Sequence, residues 1–193
     1  MPTIVEFVYV LRGLRRLIQF DVGGLGYFDR SIEGFWRSFR VALLIAPLYS
    51  IVIPFELELI KPTAGWQQIM IVEILAYIVS WLLYPLVAYE ICRLVGREAE
   101  YPGYIVVYNW SKMLIAIAQV LVWLPTLMGI TTVETSHSLY RIVYFIFLIY
   151  LWFIARAGLR IDPFSAIGMV FTSYILTLVL SFIHTALLNP AVS

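Results

Sequence analysis

The chain has 193 residues, 62% of them hydrophobic and 13% charged, with a mean hydropathy of +0.91 and a net charge of +1. Soluble domains are typically about half apolar and about a quarter charged, so folding in water would strand large apolar surfaces, and the composition points to a membrane protein. The near-neutral balance excludes the clustered basic surface that a nucleic-acid partner requires. The single cysteine, Cys92, excludes an internal disulfide and any zinc site built from several thiolates.

The N-terminal segment carries no basic region followed by a short apolar core and a small-residue cleavage site, so insertion is expected to rely on internal spans. Between Ile4 and Phe20 the apolar residues Ile4, Phe7, Val8, Leu11, Leu14 and Ile18 fall near one helical face, and Arg12, Arg15, Arg16 and Gln19 on the other. This pattern predicts an amphipathic helix lying in the membrane interface, with Arg12, Arg15 and Arg16 facing anionic headgroups or a partner. In the following DVGGLGYFDRS, the glycines Gly23, Gly24 and Gly26 have no preceding strand and no lysine-serine pair after them. They read as a hinge rather than a phosphate loop.

A membrane span needs roughly 20 apolar residues. Five segments qualify: Phe35–Phe55, Ile69–Cys92, Tyr104–Pro125, Ser138–Ala157 and Phe164–Leu187. Pro54, Pro62, Pro102 and Pro163 stand at or near the breaks, while Pro47, Pro85 and Pro125 interrupt spans and predict kinks. The expected fold is therefore all-α: residues 1–34 as a cytoplasmic amphipathic helix and Gly-rich hinge, and residues 35–193 as a five-helix transmembrane bundle. Trp36, Trp66 and Trp152 are placed for interface belts. Arg12, Arg15, Arg16, Arg30, Arg37, Arg40, Arg93, Arg97, Arg156 and Arg160 fall on one side, and only Lys61 and Arg141 on the other. The positive-inside rule then predicts a cytoplasmic N-terminus and an exoplasmic C-terminus.

No catalytic constellation is apparent. His137 and His184 have no acidic neighbour in sequence, and HExxH is absent, so a non-enzymatic role without cofactor is expected; a haem or pigment held by the two histidines stays open. Intramembrane charges are costly and often functional. Glu73 is expected about one turn into the second span, as a relay group or an interhelical hydrogen bond. Glu90 is expected to pair with Arg93 one helical turn away. On the third span Asn109, Lys112, Ala116 and Gln119 form one stripe that should face the bundle interior. Residues 101–111 read as an interfacial lead-in, with Lys112 as an inner-leaflet anchor or a partner for Glu90. A solute pathway along this stripe needs polar partners on other spans, for which Ser80, Tyr84, Tyr89, Thr172, Ser173 and Thr177 are the candidates.

The order of these features resembles the Yip family, the five-span Rab-interacting membrane proteins and their bacterial relatives. LLYPLVAYEICRLVGREAEYPGYIVVYNW looks like that family's second span, short basic loop and tyrosine-bearing third span, with Gly96 and Val106-Val107-Tyr108 in the matching places. WLPTLMGI, with Pro125, resembles the proline-bearing end of the third span, and LWFIARAGLR, with Gly158-Leu159, the end of the fourth. WSKM stands where a proline usually follows the tyrosine. The short N-terminal region resembles the bacterial form. The resemblance implies a membrane scaffold or accessory protein of a bacterial cytoplasmic membrane, organising membrane or recruiting a lipid or protein partner, or a second copy of itself. Two alternatives stand beside it: a small transporter or channel subunit using the third-span stripe, and an accessory subunit of a respiratory or photosynthetic complex.

Overall fold

The structure, a computed structural model, describes residues 4–190. Residues 1–3 and 191–193, the outer ends of the two expected domains, lie outside the described residues, as does the side chain of Ile4, and with them the expected placement of the chain termini.

The described residues contain helices and no strand: α1 (Ile4–Ile18), a 3-10 helix (Val22–Tyr27), α2 (Ile32–Ser38), α3 (Val41–Ile60), α4 (Trp66–Leu94), α5 (Tyr101–Leu127), α6 (Val133–Leu159) and α7 (Pro163–Leu188). Five helical segments are long and apolar enough to cross a membrane: Ile32–Ile60, which joins α2 and α3 across a turn at Phe39-Arg40, Trp66–Leu94, Tyr101–Leu127, Val133–Leu159 and Pro163–Leu188. The chain is thus a multi-pass membrane protein. Even α3, with 20 residues, reaches about 30 Å at about 1.5 Å per residue.

Local chemistry sets the boundaries. Ser31, Thr132 and Asp162 cap the N-termini of α2, α6 and α7, each side-chain oxygen accepting from a first-turn backbone N–H. Pro163 occupies the first turn of α7, where its missing N–H costs nothing. α4 ends in a Schellman turn: Gly96 adopts φ 67°, its N–H donates to Arg93 O, and Arg97 N–H donates to Cys92 O at 2.8 Å. At the opposite end of the bundle, Thr63 and Ala64 N–H donate to Leu188 O, and Gln68 Nε2 donates to Leu187 O. The α3–α4 connection thereby satisfies carbonyls that the end of α7 leaves open.

Pro54 does not break the first span. It lies inside α3, which continues to Ile60 and carries Glu56 with it.

α5 is the axis of the fold. It packs along α3 and α6 and is covered near its start by α1, α2 and α4, while α7 packs along α4 and α6. From Tyr101 to Met113 every residue except Pro102 and Lys112 is buried. Residues 101–111, expected as a lead-in to the span, are tightly enclosed by the other helices and run in one continuous helix with the rest of it. A helix surrounded on all sides carries apolar residues all round, which a membrane-facing reading does not distinguish from lipid exposure. Large apolar residues are left exposed on the outer faces of the spans, among them Leu43 on α3, Ile78 on α4, Leu121 on α5, Ile146 on α6 and Phe182 on α7.

α1 packs on the bundle through Phe7, Val10, Leu14 and Leu17, while Val8, Leu11 and Ile18 stay exposed. The face taken as apolar from the sequence is thus split, half turned to protein and half away from it. The Gly-rich stretch expected as a hinge forms the 3-10 helix and closes on α1. A Cβ on Gly24 would stand 2.7 Å from Leu17 Cγ and 2.8 Å from the Gly13 carbonyl oxygen. Only glycine permits that approach.

Candidate functional site: a polar cavity within the bundle

Each of the five spans turns a stripe of residues spaced three or four apart toward one interior space, a cavity of about 440 Å³. α3 contributes Ile45, Tyr49 and Glu56; α4 contributes Tyr77, Ser80, Trp81 and Tyr84; α5 contributes Tyr108, Lys112, Ala116 and Gln119. From α6 come Tyr140, Tyr144 and Phe147, and from α7 Ser173, Thr177, Ser181 and His184.

The third-span stripe faces inward as expected, and its members do different work. Asn109 is fully buried and donates through Nδ2 to Ser38 Oγ at 2.9 Å, tying α5 to the end of α2. Its Oδ1 has no partner in the structure. Gln119 donates to Glu56 Oε1 at 3.3 Å, a hydrogen bond between α5 and α3. Bonds of this kind are worth about 0.6–2 kcal/mol in a membrane.

Lys112 does not meet Glu90. Its Nζ donates to the Ser80 carbonyl at 3.1 Å and stands 4.2 Å from the Trp81 ring centroid and 5.2 Å from that of Tyr108. Pro85 lies one turn further along α4; lacking an N–H, it leaves the Trp81 carbonyl, next to the one that Lys112 meets, without its helical donor. Among the described residues no carboxylate pairs with Lys112. Glu90 instead pairs with Arg93 at 2.8 Å, both of them exposed.

Glu73, 5% exposed, is held by two partners: Tyr49 donates its hydroxyl at 3.1 Å, and His184 Nε2 lies 3.0 Å from Oε1. This links α3, α4 and α7. Nothing near either residue in sequence announces the pair, because the partners are 111 positions apart. The polar spacing Ser173, Thr177, Ser181, His184 was the available signal on α7. Tyr49 and Glu56 were likewise missed; they share a face of α3 two turns apart, a periodicity hidden once Pro54 is taken as a break. Of the suggested polar partners, Ser80, Tyr84, Ser173 and Thr177 line the cavity, whereas Tyr89 and Thr172 do not. At the edge of the cavity the Tyr84 and Tyr104 hydroxyls are hydrogen-bonded, and Tyr101 donates to the Pro85 carbonyl at 2.9 Å.

His184 is committed to Glu73, and His137 stands at the first turns of α6, outside the cavity lining. No group of three or more His, Cys, Asp or Glu side chains suited to a metal ion occurs among the described residues.

Of the three N-terminal arginines, Arg16 is taken up internally. Its Nε donates to Asp21 at 2.6 Å and its guanidinium lies 5.7 Å from the Tyr27 ring. Arg12 and Arg15 are exposed beside Val8 and Leu11.

Comparisons with protein families, with characterised proteins and with solved structures give no match.

Proposed function

We propose that this protein is a carrier that binds a small solute in the middle of the bilayer. The observation that supports this reading is the convergence of polar stripes from five spans on one cavity containing Lys112, Glu56 and His184. Ionisable groups in membrane segments are expensive, and they characteristically mark solute or ion pathways. A bundle whose interior only held itself together would fill that volume with apolar side chains at crystal-like density. Pro47, Pro85 and Pro125 lie inside α3, α4 and α5, which gives the walls of the cavity points at which to bend. The test is thiol accessibility in proteoliposomes, with Thr177→Cys in a Cys92→Ala background. A small membrane-impermeant thiosulfonate should label position 177 from each side when applied alone. Labelling from one side only removes translocation, and labelling from neither side removes the reading.

A second reading is favoured by α1. Its exposed Val8, Leu11 and Ile18 beside Arg12 and Arg15 are the composition of a helix seated on an anionic leaflet, the arrangement of a Yip-type scaffold of a bacterial cytoplasmic membrane. Hydrogen exchange in nanodiscs tests it: α1 amides should exchange more slowly in anionic than in zwitterionic lipid, and equal rates would reject the scaffold.

A further inference from the structure

We infer that the solute is a zwitterion of about dipeptide size, its acidic group on Lys112 and its amine at Glu56. The inference rests on the carrier reading and concerns the same cavity.

The two ends of the cavity hold ionisable groups of opposite kind, a lysine and a glutamate. At one end is Lys112, with three N–H donors and a single hydrogen bond, to the Ser80 carbonyl. It lines the cavity, and among the described residues no carboxylate pairs with it. A desolvated ammonium with donors to spare, over the faces of Trp81 and Tyr108, is a site for an anionic oxygen.

At the other end Glu56 also lines the cavity, and its one hydrogen bond comes from the neutral amide of Gln119. Among the described residues no lysine or arginine forms an ion pair with it. Glu73, the next carboxylate, is already shared between Tyr49 and His184, so the acceptor left over for a ligand is on Glu56. Tyr49 and Tyr140 wall this part of the cavity, and aromatic faces beside a carboxylate are the usual surroundings for an ammonium.

Geometry sets the spacing. Lys112 and Gln119 stand seven positions apart on α5, a rise of about 10 Å, and Gln119 is the residue that touches Glu56. A free carboxylate and a free amine separated by one peptide unit, each with its own hydrogen bond, bridge a gap of that order. The volume of about 440 Å³ lies within the range of small-molecule sites, and the side chains of such a ligand would meet Ile45, Ala116 and Phe147. A simple cation would leave Lys112 unmatched and a simple anion would leave Glu56 unmatched. Only a bipolar molecule neutralises both without importing a counter-ion.

The experiment uses the full chain in nanodiscs and three probes: alanyl-phenylalanine, its N-acetyl derivative and its C-terminal amide, followed by calorimetry. The free dipeptide should bind, and each capped form should be weaker by at least about ten-fold, because each leaves one buried charge unpaired. In Lys112→Met the dipeptide and its amide should bind equally. In Glu56→Gln the dipeptide and its N-acetyl form should bind equally. Lys112→Arg should keep the preference for a free carboxylate, which separates loss of charge from loss of fold. The inference is overturned if the wild type binds either capped form within about two-fold of the free dipeptide, or binds none of the three. Those results leave the carrier reading to its own thiol-accessibility test, which needs no ligand.

Discussion

Replacing Lys112 by methionine separates a functional charge from a structural one. The ammonium at helix depth costs about 2.5–3.5 kcal/mol on insertion scales. Against this stand its charge-assisted hydrogen bond to the Ser80 carbonyl at 3.1 Å, about 1.5–3 kcal/mol, and its contact with the Trp81 face at 4.2 Å, about 0.5–2 kcal/mol. The two sides nearly cancel, and methionine keeps the apolar stem. The Ser80 carbonyl also retains its own helical partner on α4, so no acceptor is orphaned. Lys112→Met should therefore change stability by less than about 2 kcal/mol in either direction. Breaking a buried ion pair would instead cost about 3–5 kcal/mol. Unfolding in mixed micelles, with increasing dodecyl sulfate in maltoside detergent and helix content read by circular dichroism, measures the difference. A loss of 3 kcal/mol or more would refute the reasoning, because it would mean that Lys112 serves a carboxylate of the protein and is not held open for a ligand.

Two further outcomes concern the N-terminal unit. Gly24→Ala should destabilise it by about 1–3 kcal/mol, since the new Cβ would stand 2.7 Å from Leu17 Cγ, whereas Gly26→Ala, which meets nothing within 4 Å, should stay within about 0.5 kcal/mol; equal effects in the same micelle titration would contradict the packing. The Arg16 guanidinium, helped by the Gly23 N–H, holds the Asp21 carboxyl below its ordinary value of 3.8. A depressed carboxyl stabilises the fold above the unfolded value and loses that contribution as pH falls through the folded one. Amides of the 3-10 helix should thus lose protection on acidification below about pH 4, and Asp21→Asn should abolish that dependence; a dependence unchanged in the variant would assign it to another group.

Hydropathy made the five spans legible, because it responds to the bilayer and not to neighbouring helices. The inward stripe of Asn109, Lys112 and Gln119 was legible for the same reason: a period of 3.6 with polar members states which way a helix turns. What escaped was pairwise. His184 and Glu73 meet only because α4 and α7 are adjacent, and no local pattern encodes adjacency. Glu56 escaped because Pro54 suggests a helix end, although a proline inside a membrane helix is readily accommodated. Lys112 was expected to meet Glu90 and instead meets Ser80 and Trp81, again a pairing between spans that no local pattern encodes. The amphipathic face of α1 was read for one environment, whereas the helix divides it, with Leu14 against protein and Leu11 away from it.

The embrace of α4 by α7 bears on how the protein is made. The ribosome delivers Glu73 into the bilayer long before His184, 111 residues later, and the acceptors at Leu187 and Leu188 that meet the Thr63–Gln68 connection arrive last of all. Until then the nascent chain carries Glu73 with Tyr49 in place and His184 still to come. A chain halted before the final helix therefore keeps a carboxyl group that lacks one of its two interhelical partners.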